Sequence, residues 1–258
     1  AFGNGIFVAV TGAANTKIYK VKDDFSGLEI LTSSAPNYMR SEMLFHNNYF
    51  YICNGSGLEK TEDFSSFNQI ITGGEHFGIK YLNGLYITCG DNGKIYTSTD
   101  GITWTSRVSG TTEMLYSIAY GNGKYVISGV NVILYSSDAI TWTKITTSKV
   151  GRCIEFGNGL FFIGVVEDGY YTSTNGIDWT HRTNISFYMR DIIFIEPYNF
   201  FIVCGHYGNI FKTYDCINFE DLKIIGYEPY FYSISADDKN NIIAFGNTYL
   251  YKAIRKLI

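Results

Sequence analysis

Short apolar runs separated by polar turns recur along the whole chain, and no stretch has the period of an amphipathic helix. The segment 112–149 shows the pattern, with apolar runs at 115–120, 124–128, 132–136 and 141–145. Asn122-Gly123 separates the first two runs, and Asn-Gly is a strong hairpin signal because both residues accept a left-handed backbone. The pattern therefore predicts four short antiparallel strands per segment.

A second turn recurs at a nearly fixed interval. Its pattern is Ser or Thr, any residue, Asp or Asn, three residues, and then an aromatic residue, and its copies lie at 61–67, 98–104, 136–142, 173–179 and 213–219, with a degenerate copy around Asp24. The period is about 38 residues, as in stacked or radial repeat proteins. Asp, Asn, Ser and Thr side chains bond the backbone of a tight turn, and the aromatic residue can fold back over it. We call these segments the repeated turns.

Four strands per repeat predict a β-propeller in a single domain, 1–258, since solenoid repeats, the alternative, are usually shorter. The repeats run 1–36, 37–73, 74–111, 112–149, 150–186, 187–225 and 226–258. We expect seven blades, with six or eight as alternatives. The first repeat lacks most of its innermost strand, so the tail of the chain is a candidate to close the ring.

The repeated turns resemble Asp-boxes, the turns between the third and fourth strands of blades in sialidase-like (BNR) β-propellers. The spacing here is one residue tighter than in the longer family form, and the Gly of the motif is present only in some copies, such as Gly101 and Gly176. The resemblance covers nearly the whole chain and implies four-stranded blades around a central channel. The Gly-Asn-Gly and Asp-Gly-Ile-Thr-Trp segments also resemble repeats of phage tail and receptor-binding proteins.

Composition excludes several classes of protein. A net charge of −4 with scattered Lys and Arg disfavours nucleic-acid binding, and 46% hydrophobic residues indicate a folded chain. No apolar run is long enough to cross a bilayer, and this segment has no signal peptide. The chain starts without Met, so we expect a piece of a longer protein. Cys53, Cys89 and Cys204 fall at matching places in their repeats, which predicts small buried thiols; no spacing suggests a metal, and we expect no cofactor.

The Trp and His residues are predicted to be structural or solvated. Trp104, Trp142 and Trp179 are the only Trp residues, and each is the aromatic residue of a repeated turn. This position predicts packing rather than sugar stacking. His76 and His206 fall in predicted loops, where we expect solvated side chains.

The candidate site comes from aligning the starts of the innermost strands. In a four-stranded blade, the Asn-Gly turns and the repeated turns lie on one face, and the variable loops lie on the other, which favours the variable face for binding. The aligned position holds Arg40, Phe77, Tyr116, Arg152, Arg190 and Tyr232. Converging guanidiniums favour a carboxylate or phosphate ligand, because charge-assisted hydrogen bonds are strong. The alternative is ordinary ion pairing with Glu75, Glu113, Asp191 and Glu228.

Sialidases hold a carboxylate with three arginines in a similar way, but the chain has no Arg-Ile-Pro segment and no Tyr and Glu pair that can be assigned as nucleophile and base. The first functional hypothesis is therefore a non-enzymatic recognition propeller of a phage tail or receptor-binding type. Its expected partners are a cell-surface glycan or teichoic-acid-like polymer and the other subunits of a virion or cell-surface-facing assembly. An exo-sialidase-type hydrolase and a protein-binding assembly factor like the photosystem II stability proteins are the alternatives.

Overall fold

The computed structural model describes residues 1–10, 17–24, 26–32, 42–222, 230–237, 239, 241–246 and 250–254. All strand pairs among these residues are antiparallel, and three short 3-10 turns lie at Asp91–Gly93, Glu196–Tyr198 and His206–Gly208. The apolar runs of the sequence therefore form strands, as predicted.

The first three sheets each contain four strands in sequence order. The first holds β1 (Phe2–Gly3), β2 (Ile6–Val10), β3 (Lys17–Lys22) and β4 (Leu28–Thr32). The second holds β5 (Met43–His46), β6 (Tyr49–Asn54), β7 (Gly57–Thr61) and β8 (Asn68–Thr72). The third holds β9 (His76–Leu82), β10 (Leu85–Gly90), β11 (Ile95–Ser98) and β12 (Thr105–Arg107).

The next sheet is larger. It has six strands, β13 (Leu115–Gly121), β14 (Lys124–Ser136), β15 (Thr143–Gly157), β16 (Leu160–Val165), β17 (Tyr170–Ser173) and β18 (Thr180–Arg182). A four-stranded sheet follows, with β19 (Met189–Ile195), β20 (Phe200–Gly205), β21 (Ile210–Thr213) and β22 (Glu220–Asp221). The last sheet has three described strands, β23 (Phe231–Ala236), β24 (Ile242–Gly246) and β25 (Leu250–Ile254).

The six-stranded sheet takes in the strands of two predicted repeats, 112–149 and 150–186. β14 continues through Asn131, where the sequence predicts a loop, although Asn131 has a left-handed φ of 53°. β15 pairs with β14 along its first part and with β16 along its second, so one strand joins the two repeats. The predicted count of seven blades is therefore not established, since the described strands form six hydrogen-bonded sheets.

The core lies between neighbouring sheets. Each apolar cluster joins two consecutive repeats, as where Ile87 and Ile95 pack with Leu115 and Ile127. The first and last sheets also meet, because Phe7 and Val21 cluster with Ile243 and Phe245. The innermost strands β9, β13, β15, β19 and β23 contact their neighbours around a common axis. The molecule is an all-β propeller of four-stranded antiparallel blades.

The tail strand does not join the first sheet in the part of the chain that the structure describes. β25 pairs with β24 of the last sheet, whereas β1 pairs with β2. The closure seen here is instead the side-chain packing between the first and last sheets.

The repeated turns close on themselves through hydrogen bonds. In the copy at 98–104, the Ser98 hydroxyl accepts from the backbone N–H of Gly101 (2.9 Å). One carboxylate oxygen of Asp100 accepts from the N–H groups of Ile102 and Thr103, both at 2.8 Å. The copies at Asp138, Asn175 and Asp215 repeat the last two bonds. These local bonds explain why the turn recurs at fixed spacing.

The Asn-Gly turns and the repeated turns share one face of the molecule, as predicted. The Asn122 amide of one repeat donates to the backbone oxygen of Thr174 (2.7 Å), which lies in the repeated turn of the next repeat. At the opposite end, the strand 2–3 loops bond to the segments that lead into the innermost strands. Examples are Asp91 N–H to Glu75 O (3.0 Å) and His206 N–H to Tyr188 O (3.1 Å). We call these the turn face and the loop face.

The predictions for Cys and Trp are confirmed. All five cysteines are buried free thiols. Trp104, Trp142 and Trp179 each pack against an apolar cluster between sheets. Their indole rings therefore stabilise the contacts between repeats.

Candidate functional site on the loop face

A β-bulge interrupts each of five innermost strands near its start. In β9, His76 lies opposite Gly90 and Gly78 opposite Cys89, so Phe77 is the extra residue. The corresponding extra residues of β13, β15, β19 and β23 are Tyr116, Arg152, Arg190 and Tyr232. Bulges re-aim side chains and are common beside functional sites. The five described members of the predicted site are thus the five bulged residues; Arg40 lies outside the described residues.

Neighbouring bulged residues contact one another from one innermost strand to the next. The Phe77 and Tyr116 ring centroids lie 5.3 Å apart, and the Arg152 guanidinium carbon lies 4.2 Å from the Tyr116 centroid. The Arg190 guanidinium carbon lies 5.2 Å from the Tyr232 centroid. We call these five residues the bulge band. It forms two runs, one from Phe77 to Arg152 and one from Arg190 to Tyr232.

Arg152 is nine-tenths buried, with a relative exposure of 9%. Its contact with the Tyr116 ring is a cation–π interaction. Within the described residues, the Arg152 guanidinium makes no ion pair and no hydrogen bond. The ordinary ion pairing considered from the sequence is therefore not observed for Arg152, and Glu228, one of the candidate partners, falls outside the described part of the chain.

Asp191, another candidate partner, is turned toward the next sheet. Its carboxylate accepts from the Ser233 hydroxyl (2.8 Å) and from the backbone N–H of Ile234 (2.9 Å). Burial raises the pKa of the Asp191 carboxyl. Asp191 thus joins two innermost strands.

Arg190 lies in a cluster of aromatic side chains. Its guanidinium carbon is 4.3 Å from the Tyr188 centroid, and its Nε donates to Nε2 of His206 (3.0 Å). The His206 imidazole stacks on Tyr188, with centroids 4.2 Å apart and planes 10° apart. Burial, followed by the charge of Arg190, lowers the pKa of His206, which keeps the ring neutral and able to accept this bond. The prediction that His206 is simply solvated is therefore wrong.

The prediction for His76 is also wrong. Its side chain is 1% exposed at the start of β9, and Nδ1 lies 2.9 Å from the Thr88 hydroxyl. Burial and then the charge of Lys94 lower the pKa of His76 to about 4. The sequence gives no signal for this burial, because the contact with Thr88 depends on the pairing of β9 with β10.

Below the bulge band, charged side chains meet along the axis. Nζ of Lys80 in β9 lies 3.6 Å from Oε2 of Glu155 in β15. Glu42 accepts from the Ser117 hydroxyl (2.6 Å) and from the backbone N–H of Ile79 (3.2 Å). Burial raises the pKa of both Glu42 and Glu155. Since these carboxyls are held by other innermost strands, their visible role is to join sheets around the axis.

The described residues show neither a metal site nor a membrane-spanning helix. Over the described ranges, no group of three or more His, Cys, Asp and Glu side chains is arranged to hold a metal ion. No helix in that part of the chain is long and apolar enough to cross a membrane.

Comparisons with known proteins support the fold. No protein-family model matches the sequence, and no curated protein matches it. Among solved structures, YCF48 bound to a D1 peptide is similar, with 17% identity, a TM-score of 0.68, and coverage of 95% of this chain and 93% of that chain. A streptogramin B lyase has 11% identity and a TM-score of 0.73, covering 93% and 90%. The computationally designed Ika8 protein has 10% identity and a TM-score of 0.60, covering 95% and 91%. At these identities the likeness shows a β-propeller fold alone.

Proposed function

We propose that this chain is a non-enzymatic recognition propeller that binds an anionic group at the bulge band on its loop face. The observation that carries the proposal is Arg152, a nine-tenths buried guanidinium without a carboxylate partner among the described residues. A buried charge is stabilised when an opposite charge forms hydrogen bonds with it. An incoming carboxylate or phosphate would supply that partner.

The arrangement of the band supports an extended ligand. Five side chains from five innermost strands take equivalent bulged positions, and Arg190 and Tyr232 lie on two further sheets, separate from that of Tyr116. Tyr232 is 47% exposed, which leaves its ring open to a ligand. We propose an anionic cell-surface glycan or teichoic-acid-like polymer as the ligand, and a phage tail or similar surface-facing assembly as the setting. We also propose seven repeat units, with the six-stranded sheet counting as two.

An acidic peptide is the second candidate ligand. The observation that favours it is the YCF48 structure, which has a similar fold and holds a bound peptide. Arginine and tyrosine side chains suit a carboxylate on either a sugar or a peptide, so the class of ligand has to be measured.

Binding of defined polymers tests the proposal. The probes are lipoteichoic acid, a hexamer of galacturonic acid, hexaglutamate and uncharged maltohexaose, titrated by calorimetry. We expect an anionic probe to bind and maltohexaose not to. Replacing Arg152 with Ala is expected to weaken the binding of the anionic probe by about 1.5–3 kcal/mol, because a charged hydrogen bond is lost. Replacing Arg190 with Ala is expected to have a similar effect.

Arg182 provides the matched control. It lies in β18, away from the bulge band, and its Nε donates to the Thr172 hydroxyl (3.1 Å). Arg182→Ala is expected to leave affinity unchanged. Affinity equal to that of the wild type in both the Arg152→Ala and the Arg190→Ala variant would refute the site. Hydrolysis of a fluorogenic sialoside, lost in Arg152→Ala, would instead identify an exo-sialidase.

A further inference from the structure

Tyr207 is an exposed tyrosine in a backbone conformation that disfavours it. It lies in the 3-10 turn His206–Gly208 on the loop face, with φ 60° and ψ 31°, and its side chain is 63% exposed. Left-handed φ is uncommon for residues other than Gly, Asn and Asp, and a bulky residue there is an outlier. Exposure leaves little apolar burial to offset that strain. Folding therefore does not account for a tyrosine at this position.

The equivalent turn of the third sheet shows what the backbone alone requires. That turn, Asp91–Gly93, also joins the second and third strands of its sheet, and Asn92 takes the same conformation with φ 50° and ψ 34°. Asn tolerates left-handed backbone well because its short polar side chain can bond locally. The two turns thus share a geometry, and Tyr207 differs from Asn92 by offering an aromatic ring.

The Tyr207 ring lies beside the cluster of aromatic side chains around Arg190. Its centroid is 5.6 Å from that of Tyr230 and 6.1 Å from that of His206. His206 is itself held by the Tyr188 stack and by the hydrogen bond from Arg190. An exposed ring and a cation thus flank the same imidazole. The Tyr207 ring is thus separated from the Arg190 guanidinium by the single His206 side chain.

We infer that Tyr207, with Tyr230 and Arg190, forms a subsite for the pyranose ring of an acidic saccharide. The C–H face of the sugar would stack on Tyr207, whose aromatic body and polar tip suit a ligand that is apolar on one face and hydroxylated at its edge. The carboxylate of the sugar would face the Arg190 guanidinium. The inference rests on the proposed function and names its ligand as carbohydrate rather than peptide.

Tyr207→Asn tests the subsite without disturbing the turn. This variant places in the turn the residue found at Asn92, so its melting temperature is expected to equal or exceed that of the wild type. Affinity for the galacturonic acid hexamer is expected to fall about three- to tenfold, the effect of losing one aromatic contact. The control is Tyr214→Asn, which removes a tyrosine of comparable exposure, 54%, from the repeated turn on the opposite face. That variant is expected to bind normally.

The outcomes separate the two proposals. Weaker binding in Arg152→Ala with normal binding in Tyr207→Asn would overturn the subsite and leave the proposed function standing. Normal binding in both variants would overturn both. Failure of the hexamer alone to bind the wild type would overturn the subsite, and failure of every anionic probe to bind would overturn the proposed function as well. An equal loss of hexaglutamate affinity in Tyr207→Asn would also overturn the saccharide assignment, because it would mark a peptide site.

Discussion

The turn face and the loop face are built from the same repeats but by different kinds of contact. On the turn face, hydrogen bonds from backbone N–H groups three and two residues later lower the pKa of Asp100, Asp138 and Asp215 to about 2. On the loop face, the side chains of the bulge band come from different innermost strands, as where Arg152 of β15 lies against Tyr116 of β13. On the turn face, the Asp carboxylates are satisfied by the backbone of their own turns. On the loop face, the Arg152 guanidinium is buried without a carboxylate partner among the described residues, and we propose that a ligand supplies one.

The difference teaches where recognition can reside in a repeat fold. Each repeated turn forms hydrogen bonds mainly within itself, so its Asp carboxylate already accepts hydrogen bonds from its own backbone. The bulges of five innermost strands instead place one side chain per strand at an equivalent position on the loop face. The residue at that position can vary from Phe77 to Arg152 without altering the strand. Variation in the proposed ligand-binding residues is thus separated from the contacts that form the fold.

Lowering the pH should produce the largest difference between the two faces in their contribution to the free energy of unfolding. Between pH 7 and pH 4 the carboxylates of the repeated turns stay charged, because their pKa is about 2. His76, under the loop face, has a folded pKa of about 4 against an ordinary value of 6.5. The unfolded chain therefore binds this proton first. The stability that His76 contributes is complete above pH 6.5 and is lost as pH falls to 4, by about 3 kcal/mol.

A comparison of variants isolates this effect from the titration of the carboxyls. Urea unfolding of the wild type and of His76→Gln is measured at pH 7 and pH 4. The difference in free energy of unfolding between the two proteins should be about 3 kcal/mol larger at pH 7. A pH-independent difference for His76→Gln would contradict the burial of a neutral imidazole.

Replacing a glycine of the turn face with alanine should give the next largest loss of stability. Gly101 of a repeated turn has φ 68°, and a Cβ there would lie 2.4 Å from the Tyr51 hydroxyl oxygen of the neighbouring sheet. Gly123 of an Asn-Gly turn has a similar φ of 73° but open space around it. Gly101→Ala should therefore cost about 2–3 kcal/mol, through strain and overpacking, and Gly123→Ala about 1 kcal/mol, through strain alone.

Thermal and urea unfolding of both glycine variants measure these costs. The difference between them reports the contact of a repeated turn with the next sheet. Equal losses of stability would show that the contact between the repeated turn and the next sheet is not close. The turn would then owe its stability to its own hydrogen bonds rather than to packing between repeats.

The sequence predicted the turn face better than the loop face, for a physical reason. The repeated turn of Ser98, Asp100 and Trp104 spans seven residues, so its bonds follow from local chemistry. The alignment of strand starts also placed Phe77, Tyr116 and Arg152 at one position, and the structure brings these three into contact. The bulges that carry them, the continuity of β14 through Asn131, and the burial of His76 depend on pairing between distant residues, which a single sequence does not encode as a visible pattern.

Amide chemical shifts measured during titration with the galacturonic acid hexamer test the central claim most directly. The account predicts that the amide signals of Tyr116, Arg152 and Arg190 move with ligand concentration. The amide signals of Ile102 and Ile140, exposed residues of two repeated turns on the opposite face, should stay in place. Movement of the turn-face signals with none at Arg152 would contradict the assignment of recognition to the loop face.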